Sequence, residues 1–103
     1  SGSEADAQAL FAAALQQNPY QRDALNNLAA THMTAKKWDA MLPPARRLVE
    51  VDPGNPDAYL FVALAYQGLA NATKVPATRK ALNDSIMAYS QKMEKLPYKV
   101  SYT

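Results

Sequence analysis

Pro19 and Pro53 stand 34 residues apart, and the residues before each agree in kind. Ala7, Phe11, Ala14 and Leu15 precede Pro19 at the same distances at which Met41, Ala45, Leu48 and Val49 precede Pro53. The offset continues downstream, where Leu25, Leu28, Ala29 and His32 are matched by Tyr59, Val62, Ala63 and Tyr66. Self-similarity at such a period marks an array of small supersecondary units, none of which can bury its apolar face alone. Neighbouring units complete the core, so a chain of this kind folds as a row of stacked elements.

The units are helical. Apolar residues recur at spacings of three and four, which places them on one face of a helix. Alanine is abundant and glycine occurs only three times, a composition that favours helices over a β-sandwich. Five segments follow, at about residues 4–17, 20–35, 38–51, 56–70 and 76–95. Asn18-Pro19 and Asn55-Pro56 each suit a helix start, with asparagine capping free amides and proline at the first helical position. Asp52-Pro53-Gly54 closes the segment before the second of these starts. Short connections between consecutive helices predict antiparallel hairpins. One conflict is local: Pro43 and Pro44 fall inside the third segment, where proline removes amide donors and crowds the preceding turn. That predicts either a late start near Leu42 or a kinked first turn.

A 34-residue period of paired helices resembles the tetratricopeptide repeat. In that family the first helix of each pair carries a bulky residue, then a leucine beside a small residue, then an aromatic. Leu25, Leu28-Ala29 and His32 fill those places once, and Tyr59, Val62-Ala63 and Tyr66 fill them again. Trp38 stands where an aromatic opens the second helix, and Val51-Asp52-Pro53 matches the family's ending. The resemblance covers residues 5–70 well and extends more loosely to Pro97. It implies an all-α fold, an α-α superhelix of antiparallel helical hairpins.

The departures set the expected boundaries. Ala35-Lys36 replaces the turn glycine of the family, and Met41 replaces a small residue. Pro97 lies 44 residues beyond Pro53, so this unit carries about ten extra residues; a loop over Asn71–Val75 and an extended last helix are expected to absorb them. The division is then an expression scar at 1–3, a half repeat at 4–19, a full repeat at 20–55 and an extended repeat at 56–97. The half repeat lacks its first helix, which suggests a piece of a longer protein. In the tail, Tyr98, Val100 and Tyr102 alternate with Lys99, Ser101 and Thr103, the period of a strand. It is expected to lie extended, against its own or a neighbour's helices, or to open a following β domain.

Reactive constellations do not emerge. The chain has no cysteine and a single histidine, His32, which sits at an aromatic packing position without evident metal or catalytic partners. The carboxylates sit mostly near predicted helix ends, where they complement the dipole or face water. Gly2, Gly54 and Gly68 form no phosphate-cradling loop. Asn71-Ala72-Thr73 and Asn83-Asp84-Ser85 match the glycosylation acceptor pattern, a short pattern that arises by chance. A net charge of +2, with basic residues in scattered pairs, does not suit nucleic acid. No apolar run approaches the roughly 20 residues of a membrane span, so a soluble piece without a membrane role is expected. No enzyme activity, metal or cofactor is expected.

What remains is a surface. The resemblance implies that the first helices of the pairs line a concave face, here Asp23, Asn26, Asn27, Ala30, Met33 and Thr34, then Asp57, Leu60, Phe61, Leu64 and Gln67. Leu60, Phe61 and Leu64 either form an apolar strip there or pack against a neighbouring helix. Some family members grip a client's terminal carboxylate with lysines, an arginine and asparagines; Asn27 matches one asparagine, but Asn26, Asp57 and Phe61 occupy the basic places, so that clamp is absent. The expected function is a scaffold that binds a peptide or protein partner on this face. The alternative is a structural spacer or self-association module within a larger multidomain protein.

Overall fold

The computed structural model of the chain describes Asp6, Leu10 and residues 22–97. Four helices make up most of it: α1 (Arg22–Thr34), α2 (Trp38–Val51), α3 (Pro56–Ala72) and α4 (Pro76–Glu94). No strand occurs among the described residues. These are the last four of the five expected segments. Of the first, 4–17, only Asp6 and Leu10 are described, both helical and exposed. The upstream copy of the repeat, Pro19 and the tail at 98–103 lie outside the described residues.

Local chemistry explains where the helices begin and end. At α3 the Asn55 side chain accepts a hydrogen bond from the Asp57 amide at 3.0 Å, with Pro56 at the first helical position. Tyr59 donates its hydroxyl to the Pro53 carbonyl at 2.9 Å and so fixes the turn to the helix it precedes. Between α1 and α2 the Lys37 amide bonds to the His32 carbonyl and the Lys36 amide to Met33. That pair of bonds is the Schellman arrangement, which requires a left-handed residue just past the helix. Lys36 fills the position with φ of 59°. The place read as lacking its glycine therefore keeps the glycine conformation without the residue that adopts it freely.

One alternative is excluded and one expectation is corrected. The second helix of the hairpin does not start late: it runs from Trp38 through Pro43 and Pro44 to Val51, and the Met41 amide already bonds to the Lys37 carbonyl. Both prolines are interior, so the carbonyls four residues back, on Asp39 and Ala40, lose their helical donors. Pro43 is exposed and Pro44 buried. Nor does Asn71 begin a long loop. Helix α3 continues to Ala72, and only Thr73, Lys74 and Val75 separate it from α4. The extra residues of this unit lengthen helices of 17 and 19 residues instead.

The 34-residue offset reappears as burial. Leu25, Leu28 and Ala29 are buried, as are Tyr59, Val62 and Ala63, while His32 and Tyr66 are both half-buried. The core joins Leu25 and Ala29 of α1, Met41, Ala45 and Leu48 of α2, and Ala58, Phe61, Val62 and Ala65 of α3. Burying a side chain such as Phe61 or Leu48 contributes about 1.5–3 kcal/mol. Helix α3 is apolar around most of its circumference because it is the helix with neighbours on three sides, α1, α2 and α4. At one point the approach is especially close. A Cβ on Gly68 would overlap the indole of Trp38, so the ring lies directly on the α3 backbone.

Contacts between elements are sequential and open. Helix α1 meets α2 and α3, α3 meets α2 and α4, and α4 meets α3 alone. A closed four-helix bundle would bring α4 back against α1, and here it does not come. No α4 residue is buried; the helix packs on α3 alone, with Tyr89 against the core and Leu82, Ile86 and Met93 half-buried. The Tyr89 ring stands 6.2 Å from Tyr59 and 6.0 Å from Tyr66, within the range of favourable tilted aromatic pairs.

Candidate partner-binding face

Helices α1 and α3 touch each other directly, and each reverses direction relative to α2. Trp38, at the start of α2, lies on Gly68 near the end of α3. Arg22, at the start of α1, reaches Asp52 just after α2 at 3.9 Å. Helices α1 and α3 therefore run in the same direction, with their first turns at the same end of the molecule.

Four pairs related by the 34-residue offset remain accessible on both helices. Asp23 is exposed and Asp57 half-buried; Asn26 and Leu60 are both half-buried; so are Ala30 and Leu64; Met33 is half-buried and Gln67 exposed. The floor of this face is apolar, since Ala30, Met33 and Leu64 also pack against the core. Leu60 is half-buried without belonging to that packing layer, which makes it the side chain a partner could reach with least effect on the fold.

The remaining positions diverge. Phe61 is fully buried in the core, so its assignment to the partner-binding face is corrected. Its side faces α1 and α2, whereas its counterpart Asn27, on a helix with no described helix before it, is exposed. Thr34 is exposed, while its counterpart Gly68 lies beneath Trp38. The Thr34 hydroxyl donates to the Ala30 carbonyl at 3.1 Å, a bond within its own helix that leaves it less to offer a partner. One residue of the face was missed. Asn71 continues the α3 stripe one turn beyond Gln67, which donates to it at 3.1 Å. The spacing of four from Gln67 carried that signal, and the expectation of a loop at Asn71 concealed it.

Among the described residues no group of three or more His, Cys, Asp or Glu side chains could hold a metal ion. No described helix is long and apolar enough to cross a membrane. Two depressions of the surface lie elsewhere, around Pro43 and Arg47 of α2. No family model matches the chain, and neither the curated proteins nor the solved structures compared with it give a significant match.

Proposed function

We propose that the chain is a binding module of the tetratricopeptide-repeat kind, which holds a peptide or protein segment along the face shared by α1 and α3. The observation that carries this reading is the pair of in-phase accessible stripes on two helices in direct contact. Asp23, Asn26, Ala30 and Met33 stand beside Asp57, Leu60, Leu64 and Gln67. An apolar floor edged by amides and carboxylates suits a segment that brings both side chains and hydrogen-bonding groups. The open row of helices leaves this face uncovered by any other described helix.

The test is affinity selection with the whole chain followed by substitution on the face. Leu60→Asp and Asn27→Ala should weaken a captured partner while the thermal midpoint stays within a few degrees of the parent. Phe61→Ala should lower the midpoint steeply, because its side chain is core. Partner binding that survives Leu60→Asp unchanged would remove the reading.

A second reading, self-association, rests on α4. That helix buries none of its residues and leaves Met87 exposed, as is Val75 in the connection just before it. Sedimentation across a range of concentrations separates the two, since self-association makes the mass rise with concentration.

A further inference from the structure

Helix α3 has a second apolar face. Tyr59, Ala63, Tyr66 and Ala70 follow one another at spacings of four, three and four, which stacks them on one side of the helix. Tyr59, Ala63 and Ala70 are buried apart from the cluster that joins α1, α2 and α3. Helix α4 answers with Leu82, Ile86, Tyr89 and Met93 at the same spacings, and Tyr89 stands against both tyrosines of α3. Among the described helices α4 touches α3 alone, and none of its 19 residues is buried. The cluster at the centre of the molecule includes no α4 residue, and Tyr89 is the one side chain of α4 packed against it. Taking α4 away therefore leaves the packing among α1, α2 and α3 in place. Few buried apolar contacts with the rest of the chain mark a segment that opens on its own.

The connection to α4 is short. Thr73, Lys74 and Val75 span it, extended at both ends, with φ and ψ of −83° and 143° at Thr73 and −92° and 113° at Val75. Val75 gives α4 no side-chain cap. Arg79 ties the first turn of α4 to the connection by donating to the Thr73 carbonyl at 2.6 Å.

From this we infer that α4 is an exchangeable strap: it leaves α3 as a unit, and the stripe it vacates takes the α4 of a second copy. The stripe names its own occupant. Helix α4 already fits it, and every contact made there is repeated when the same helix arrives from another chain. Only the connection changes, and such exchange of an identical element is a low-cost route to a dimer that closes at two copies. Closed monomer and exchanged dimer hold the same contacts between α3 and α4, which leaves concentration to set the balance between them. The inference rests on the self-association reading above, to which it gives an interface, and is independent of the groove proposed between α1 and α3.

Hydrogen exchange of the whole chain under native conditions, read by mass spectrometry, tests the opening. Amides of α4 should exchange together and at least about tenfold faster than those of α2 and α3. Tyr89→Ala should speed α4 further and leave α2 unchanged, with circular dichroism checking that the variant folds. Helices that all exchange at one rate, or a Tyr89→Ala variant that speeds them all alike, would overturn the strap. A second measurement identifies the occupant. Unlabelled and heavy-nitrogen-labelled chains are mixed in urea, refolded together at high concentration and separated by size. Brief photo-oxidation then couples neighbouring tyrosines, and the linked peptides are weighed, with the monomer fraction as the control for links within one chain. In the dimer fraction, Tyr59–Tyr89 and Tyr66–Tyr89 links that join a light chain to a heavy one are expected. Links confined to chains of one label would overturn the exchange and leave self-association through another surface standing. A mass that stays that of one chain at every concentration would overturn both.

Discussion

The contact between Trp38 and Gly68 gives the sharpest test of how α2 and α3 pack. In an exposed helix interior, replacing glycine by alanine stabilises by about 1 kcal/mol, since alanine loses less backbone freedom on folding. At Gly68 the new methyl would occupy space already held by the indole. Trp38 must then move off the helix. Trp38 is half-buried against the core; if the covered half of a tryptophan's roughly 200 Å² is exposed, about 100 Å² at about 25 cal/mol/Å² is lost, or about 2.5 kcal/mol. Subtracting the propensity gain leaves Gly68→Ala destabilising by about 1.5 kcal/mol, within the usual range for overpacking. For a chain of this size that lowers the thermal midpoint by roughly 6–12 °C.

Thermal unfolding followed by far-ultraviolet circular dichroism measures the loss. Trp38 is the only tryptophan, so its fluorescence reports separately on the cause. Emission should shift to the red in folded Gly68→Ala as the ring leaves α3 for water. In a Trp38→Leu background the same substitution should turn neutral or stabilising, because the atoms it collides with are gone. The coupling between the two sites should fall within the roughly 0.5–3 kcal/mol seen for residues in contact. A midpoint that rises in Gly68→Ala, with unchanged emission, would refute the reasoning and place Trp38 away from α3.

Lys36→Gly should stabilise the chain by about 0.5–1 kcal/mol, the left-handed penalty of a Cβ less the extra freedom glycine brings to the unfolded state; denaturant titration reads the midpoint. A loss of stability there would mean that Lys36 is not held at positive φ. Pro43→Ala should raise stability by up to about 3 kcal/mol, restoring an amide for the Asp39 carbonyl at an exposed position, and the same titration detects it. Phe61→Ala should cost about 3–5 kcal/mol and lower the melting temperature sharply, whereas Leu60→Ala should leave most of the stability and act on partner binding. If the two melt alike, the division between core and groove is wrong.

How much of this was legible in the sequence depends on what each signal measures. Periodicity reports which side of a helix is apolar, and it placed Leu25, Leu28, Tyr59 and Val62 correctly in the core. Caps are local, so Asn55-Pro56 announced α3 without help from the rest of the chain. Proline left two readings open at Pro43 and Pro44, a late start or a kink, and only the packing that holds the segment from Trp38 excludes the late start. Met41, Ala45 and Leu48 are fully buried around those prolines, and that burial outweighs two missing amide bonds. The ten added residues were placed partly in a loop for a similar reason. Asn71 looks like punctuation, yet it is paired with Gln67 on a continuing helix.

The face proposed to bind a partner shows why an offset alone cannot assign its residues. Asn27 and Phe61 occupy the same place in two successive units, and the repeat pattern treats them as equivalent. Their environments differ because position in the row differs. Phe61 belongs to a helix with α1 and α2 beside it and closes the core between them. Asn27 belongs to the first described helix and stays exposed. The two residue types already agree with that difference: a phenyl ring gains by leaving water, and a primary amide loses unless it is fully hydrogen-bonded. Within a repeat array, then, an apolar residue at a nominal groove position is better assigned to the seam between units. A polar residue at the same position is better left accessible, as Asn27 is. Applied to the remaining pairs, the rule keeps Asn26, Asn27 and Gln67 on the surface. Leu60 and Leu64 are the two that must be decided by accessibility, and their half-burial is what keeps them in the proposed partner-binding face.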